Sequence, residues 1–156
     1  MSEKILLSHG SGGKISHQLV KDIFVRHFDN PVLARLADSS VLGVYPGYIV
    51  FTTDSYVVDP LFFPGGDIGK LAVCGTVNDL AVSGASPVYL SAGFIIEEGM
   101  GLEDLERIVK SMADEARNAG VQIVTGDTKV VNRGKADKLF INTSGLGFLN
   151  PNSQDI

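Results

Sequence analysis

The chain has 156 residues, a length that suits one domain with a core of its own. Its net charge of −5 argues against a binder of the nucleic-acid backbone, although an acidic chain can still hold nucleotide phosphates through a divalent cation. No apolar run approaches the roughly 18 residues of a membrane span, so no membrane association is expected. A single cysteine, Cys74, rules out an intramolecular disulfide. Together with an N-terminus lacking a signal-peptide pattern, it points to a reducing, cytoplasmic setting.

Taken in chain order, residues 5–7 are a short apolar run before the glycine-rich turn "SHGSGGK". From Lys14 the pattern is helical, with Ile15, Leu19, Ile23 and Phe28 on one face, and "DNP" at 29–31 ends it. The segment "VLARLADSSVLGV" is ambiguous. "YIVFTTD", 48–54, is β-branched and aromatic and reads as a strand. "FFPGGD" reads as a turn, with Asp67 as N-cap of a helix that Gly84 closes and Pro87 stops. That helix, in "GKLAVCGTVNDLAVSGASP", looks apolar on every side and so is expected in the core. "VYLSAGFIIE", 88–97, is a second strand. "GLEDLERIVKSMADEARNAG", 101–120, is an amphipathic helix with Gly120 as a C-cap candidate. A third strand, 121–131, is interrupted by Gly126-Asp127, and a fourth spans 139–149. Strands and helices alternate unevenly, and some turns are too short for crossovers. An α+β fold with a mixed or antiparallel four-stranded sheet packed on helices is therefore predicted, with residues 1–149 as the domain and the polar 150–156 as a linker.

Two features carry chemistry. Gly10, Gly12 and Gly13 stand just before a helix, where backbone N–H groups favour anions, and Lys14 adds a positive charge. The turn is neither a Walker A loop nor GxGxxG, since Ser8 and Ile15 occupy deciding positions. The second feature is acidic. Asp54 ends a strand, Asp79 lies inside the apolar helix, Asp127 breaks a strand-like run, and Asp38 follows an apolar stretch. A buried carboxylate needs a partner, and clustered carboxylates need a cation between them. Oxygen-only ligation suits Mg2+, which shares substrate phosphates. A glycine loop with such a cluster describes a nucleoside triphosphate site. The plainer alternatives are turn capping by Asp54 and Asp127 and ordinary loop chemistry at Asp38. His9 reads as a group bonding to backbone, and Cys74 as a small hydrophobe rather than a nucleophile.

"SHGSGGK", "TDSYVVDPLFFPGGDIGKLAVCGTVNDLAV" and "GDTKVV" together resemble the N-terminal domain of the HypE family of hydrogenase maturation proteins. That family lies within the ATP-binding superfamily of aminoimidazole-ribonucleotide synthetase, selenophosphate synthetase and thiamine-monophosphate kinase. The resemblance implies ATP and Mg2+ as cofactors. It implies Gly12, Gly13 and Lys14 as a phosphate-covering loop, Asn78 and Lys129 nearby, and Asp38, Asp54, Asp79 and Asp127 as acids of the metal and phosphate site. It also implies a barrel-like homodimer formed through the sheets, with nucleotide sites near that interface. The implied reaction is ATP-dependent dehydration of a carbamoyl group, placed on a C-terminal cysteine by the carbamoyltransferase HypF, to a thiocyanate. The cyano group then passes to iron on a HypC–HypD complex. Family members run to about twice this length and end in a cysteine tail that this chain lacks. The expectation is a fragment that folds and dimerises without completing the reaction. An interaction module that binds no nucleotide is the alternative.

Overall fold

The computed structural model of the chain describes residues 4–37, 39–40, 42–43 and 47–149. After a short 3-10 turn, Leu7–Gly10, the first helical stretch is not uniform. It is α-helical over Lys14–Leu19 (α1), π-helical over Val20–Val25 and α-helical again over Arg26–Phe28 (α2). The wider π turn fits the spacing of its apolar residues, four and then five apart at Leu19, Ile23 and Phe28. Leu19, Ile23 and Phe24 are buried, whereas Ile15, expected on the same face, is exposed. Phe24 packs on Phe94 with ring centroids 4.7 Å apart, which ties this stretch to the sheet.

The strands are β1 (Tyr48–Tyr56), β2 (Phe62–Phe63), β3 (Gly66–Asp67), β4 (Ser86–Glu97), β5 (Gln122–Val131) and β6 (Leu139–Leu149). The predicted turn at "FFPGGD" is thus a small hairpin of β2 and β3. The main sheet has the order β1-β6-β4-β5, antiparallel except for the parallel β4–β5 pair. Helix α4 (Leu102–Asn118) provides the crossover that a parallel pair requires. The turn after β5 passes the end of β4, so β6 pairs on the far side of β4. Glu97 holds that turn by accepting from the Gly134 N–H at 2.9 Å. This bond and further backbone donors keep its carboxyl below the usual range.

β5 runs through Gly126-Asp127 without a break, contrary to the interruption expected there. Glycine makes this possible, because a Cβ at Gly126 would lie 2.3 Å from the Ala92 carbonyl oxygen. Helix α3 (Ile68–Val82) starts as expected, with the Asp67 carboxylate accepting from the N–H of Gly69 and Lys70 at 2.7 and 3.0 Å. It ends in a Schellman motif, Ala85 N–H to Leu80 C=O and Gly84 N–H to Ala81 C=O, with Gly84 at φ +76°. α4 ends the same way at Gly120.

α3 and α4 cover one face of the sheet, and the core lies between. α4 buries Leu105, Ile108, Val109, Met112 and Ala116, as its amphipathic pattern predicts. α3 departs from expectation. It buries Ile68, Ala72, Val73, Thr76 and Leu80 but leaves Asn78, Asp79 and Val82 exposed. The helix is therefore half-buried, and Asp79 is not a core carboxylate. An apolar composition all round misled here because several of its apolar residues face outward in one chain.

The opposite face of the sheet carries no helix from α3 or α4. Ile49 and Phe51 on this face are 62% and 65% exposed, which marks it as an open apolar surface. Between them and the far end runs a polar row, in which Asn142 Nδ2 donates to Ser55 Oγ at 3.0 Å and Ser144 Oγ donates to Thr53 Oγ1 at 2.9 Å.

Candidate functional site

The predicted site residues fall into two groups at opposite edges of the sheet. At the β5 edge, the glycine turn lies against the strand. Backbone bonds between Ile5 and both Gly99 and Met100, each 2.8 Å, pin the segment leading into it. His9 Nδ1 accepts from the Leu6 N–H at 2.9 Å, the backbone role expected of it. Gly10 sits so close that a Cβ there would lie 2.5 Å from the Val130 amide nitrogen. Gly12, at φ +77°, turns the chain into α1. Gly10, Gly12, Asp127 and Lys129 all line one cavity of about 350 Å3. Its inner wall is apolar, built from Val20 and Phe24 of the π turn and Phe94 of β4. A concave apolar wall with a rim of backbone amides and charged groups is the ordinary form of a small-molecule site. Gly13 and Lys14 are exposed at the start of α1, beside this rim.

The second group stands at the β1 edge. β-strand alternation puts Thr52, Asp54 and Tyr56 on the side facing α3. Thr52 Oγ1 donates to Asp79 Oδ2 at 3.3 Å, so Asp79 reaches across from the helix to this strand. Asp54 is half-buried two residues further along, and one of its oxygens accepts from the Ser55 N–H at 2.9 Å. Asn78 is exposed on the same turn of α3 as Asp79. Beneath these acids lies a buried chain of hydroxyls: Tyr56 to Thr76 at 3.1 Å, Thr76 to Thr143 at 2.6 Å, and Thr143 donating to the Ala72 carbonyl at 3.1 Å. Burial first, and then the Asp54 carboxylate, push the Tyr56 phenol above its ordinary value, against a downward pull from Thr76.

β1 and β5 are the two outer strands of a four-stranded sheet. At ordinary strand spacing they stand about 14 Å apart. One chain therefore brings Asp54 and Asp79 to the same edge but does not bring Asp127 to them. Among the described residues, no three His, Cys, Asp or Glu side chains gather as metal ligands. Asp38 lies outside the described residues. The oxygen chemistry of Asp54, Asp79 and Thr52 suits Mg2+, but one edge offers only part of a coordination set.

Cys74 is half-buried on α3, its Sγ 3.9 Å from Glu115 Oε2, and Glu115 pairs with Lys70 at 3.2 Å. Burial and then the Glu115 charge raise the thiol above its ordinary value, which fits an unreactive side chain. Sequence reasoning did not single out Thr52, Tyr56, Thr76 or Thr143. The i, i+2, i+4 spacing of Thr52, Asp54 and Tyr56 in "FTTDSY" was the available signal for the first and second of these.

Residues 37–149 match the family model described as AIR synthase related protein, N-terminal domain. The chain belongs to this family. This AIR synthase related domain is 57% identical over 153 residues to the carbamoyl dehydratase HypE of Escherichia coli (strain K12), a match covering 95% of the chain and 46% of that protein. Its fold superposes with a TM-score of 0.91 on the crystal structure of a hydrogenase maturation protein HypE in complex with ATP, at 60% identity. That match covers 93% of the domain and 43% of the HypE chain. A HypE–HypF complex matches with a TM-score of 0.65 at 58% identity, over 84% of the domain and 42% of that chain. The domain thus spans under half the length of the relatives it matches. Among the described residues, no helix is long and apolar enough to cross a membrane.

Proposed function

We propose that this chain is the ATP-binding and dimerising portion of a HypE-type carbamoyl dehydratase in hydrogenase maturation, with residues 1–149 as the working domain and 150–156 as linker. One juxtaposition carries the proposal: Gly10 and Gly12 of the glycine loop and Asp127 and Lys129 of β5 line the same cavity. Backbone amides near a helix start, with Lys14 and Lys129 at hand, suit a polyphosphate. A HypE relative at 60% identity was crystallised with ATP. When bound, ATP supplies the phosphoryl group that turns a carbamoyl oxygen into a leaving group, and Mg2+ offsets the phosphate charge. Phosphoryl transfer asks the protein for positioning and charge neutralisation, and these residues offer both.

The separation of the acids is resolved by a second copy. Two sheets packed face to face about a two-fold axis along the strands set β1 of one copy beside β5 of the other. Asp54 and Asp79 of one chain then meet Asp127 and the glycine loop of its partner. The exposed Ile49 and Phe51 favour this pairing, since such a face is otherwise left in water. Asp38, Asn78 and Gly13 complete the proposed nucleotide and metal set. Asp38, Asp54, Asp79 and Asp127 act as the acids of the metal site, and Gly12, Gly13 and Lys14 cover the phosphates. HypF is the proposed partner that loads the carbamoyl group, a HypC–HypD complex the recipient of cyanide, and the cytoplasm the setting.

Calorimetric titration with Mg-ATP tests the proposal. Wild type should bind, and Asp54→Asn, Asp79→Asn and Asp127→Asn should each weaken binding about tenfold or more, as loss of a charge-assisted contact does. Binding that ignores all three substitutions would move the site elsewhere. A failure of wild type to bind would favour a module that only docks partners.

A further inference from the structure

We propose that Tyr56, Thr76 and Thr143 are positioning residues that set the separation of the Asp54 and Asp79 carboxylates. The inference rests on the magnesium-nucleotide reading above and adds the element that makes it geometrically possible. Asp54 and Asp79 sit on different elements, β1 and α3. Their spacing is fixed only if the helix is held at one height along the strand. Thr143 is the cross-strand partner of Asp54 on β6, and Tyr56 is its neighbour two residues along β1. Both reach the hydroxyl of Thr76, three residues before Asp79 on α3. Thr143 also donates to the Ala72 carbonyl, one turn earlier on the same helix. Asp54 is therefore flanked on two sides by groups that grip the helix carrying Asp79.

Close approach is part of the device. A Cβ at Gly75 would lie 2.3 Å from the Tyr56 hydroxyl oxygen, so the phenol fills a slot that only glycine leaves open. A Cβ at Gly145 would lie 2.9 Å from Thr76 Cγ2 and from Leu80 Cδ1, so β6 also thins to admit the helix. Thr76 and Thr143 are fully buried, and no buried side-chain polar atom among the described residues lacks a partner. Apolar packing alone would hold α3 to the sheet without any of these hydroxyls. Hydroxyls add direction, because a satisfied buried polar network fits one register and penalises others. No atom of the network need touch metal or nucleotide.

The test measures ATP affinity of the chain by calorimetry with Mg2+ and again in EDTA, for wild type, Tyr56→Phe, Thr143→Val and Thr143→Ser, with melting temperatures alongside. The inference expects Tyr56→Phe and Thr143→Val to weaken binding in Mg2+ about fivefold while binding in EDTA is unchanged. Thr143→Ser, which keeps the hydroxyl, should restore the Mg2+ value. A purely structural role would lower both affinities in step with the melting temperature and would overturn the inference. So would wild-type Mg2+ affinity in both hydroxyl-deleted variants while Asp54→Asn is impaired. If Asp54→Asn and Asp79→Asn are themselves silent, the magnesium reading fails and this inference falls with it.

Discussion

Asp67 shows how much one side chain decides. Its carboxylate accepts from two N–H groups at the start of α3, and it is buried, so water cannot replace it there. Asp67→Ala should lower unfolding stability by about 1–2 kcal/mol, measured by urea denaturation, while Asp67→Asn should retain most of it. This cap was legible in the sequence because it needs only local chemistry, an Asp just before a helical run. Gly84 and Gly120 were legible for the same reason. Asp79 was misplaced because burial is a property of neighbours. Its apolar companions looked like a core helix, yet Leu71, Ala81 and Val82 lie exposed with it on the outward side of α3. The strand spacing could have flagged Tyr56, but its links to Thr76 and on to Thr143 were not legible, since they join residues 20 and 67 apart in sequence.

Glycine governs how the elements approach one another. Gly126 lets β5 run beside β4, and alanine there would drive Cβ into a backbone carbonyl that cannot swing away. Gly126→Ala should destabilise by about 1–3 kcal/mol in denaturant unfolding, as overpacking does. Gly43 is the control: an added Cβ there would meet nothing within 4 Å, and the change should be nearly silent. An equal loss from both would remove the steric explanation. In sequence, the dipeptide Gly126-Asp127 reads as a break in the strand because Gly and Asp usually mark turns. Tertiary pairing with β4 overrode that preference. The amphipathic α4 was readable from its period, whereas the π turn at Val20–Val25 was hidden inside a helical pattern that a single extra residue barely disturbs.

At the scale of the whole molecule, the chain presents one covered and one open sheet face. The mixed sheet and its α+β character were readable from uneven alternation and short turns. Strand order was not, because β6 passes β4 and that choice depends on long-range pairing. The same order explains why the acids that the sequence grouped together stand at two edges. A covered open face and a joined acid set are one and the same requirement under the proposed two-fold pairing. The most direct measurement mixes two defective chains, Asp54→Asn and Asp127→Asn, after co-refolding, and titrates Mg-ATP. Each mixed dimer keeps one intact pair of edges. Random pairing should therefore recover tight binding at about a quarter of the sites, although neither variant binds tightly alone. Recovery of no tight sites at all, in mixtures shown by light scattering to be dimeric, would contradict a site shared between two copies.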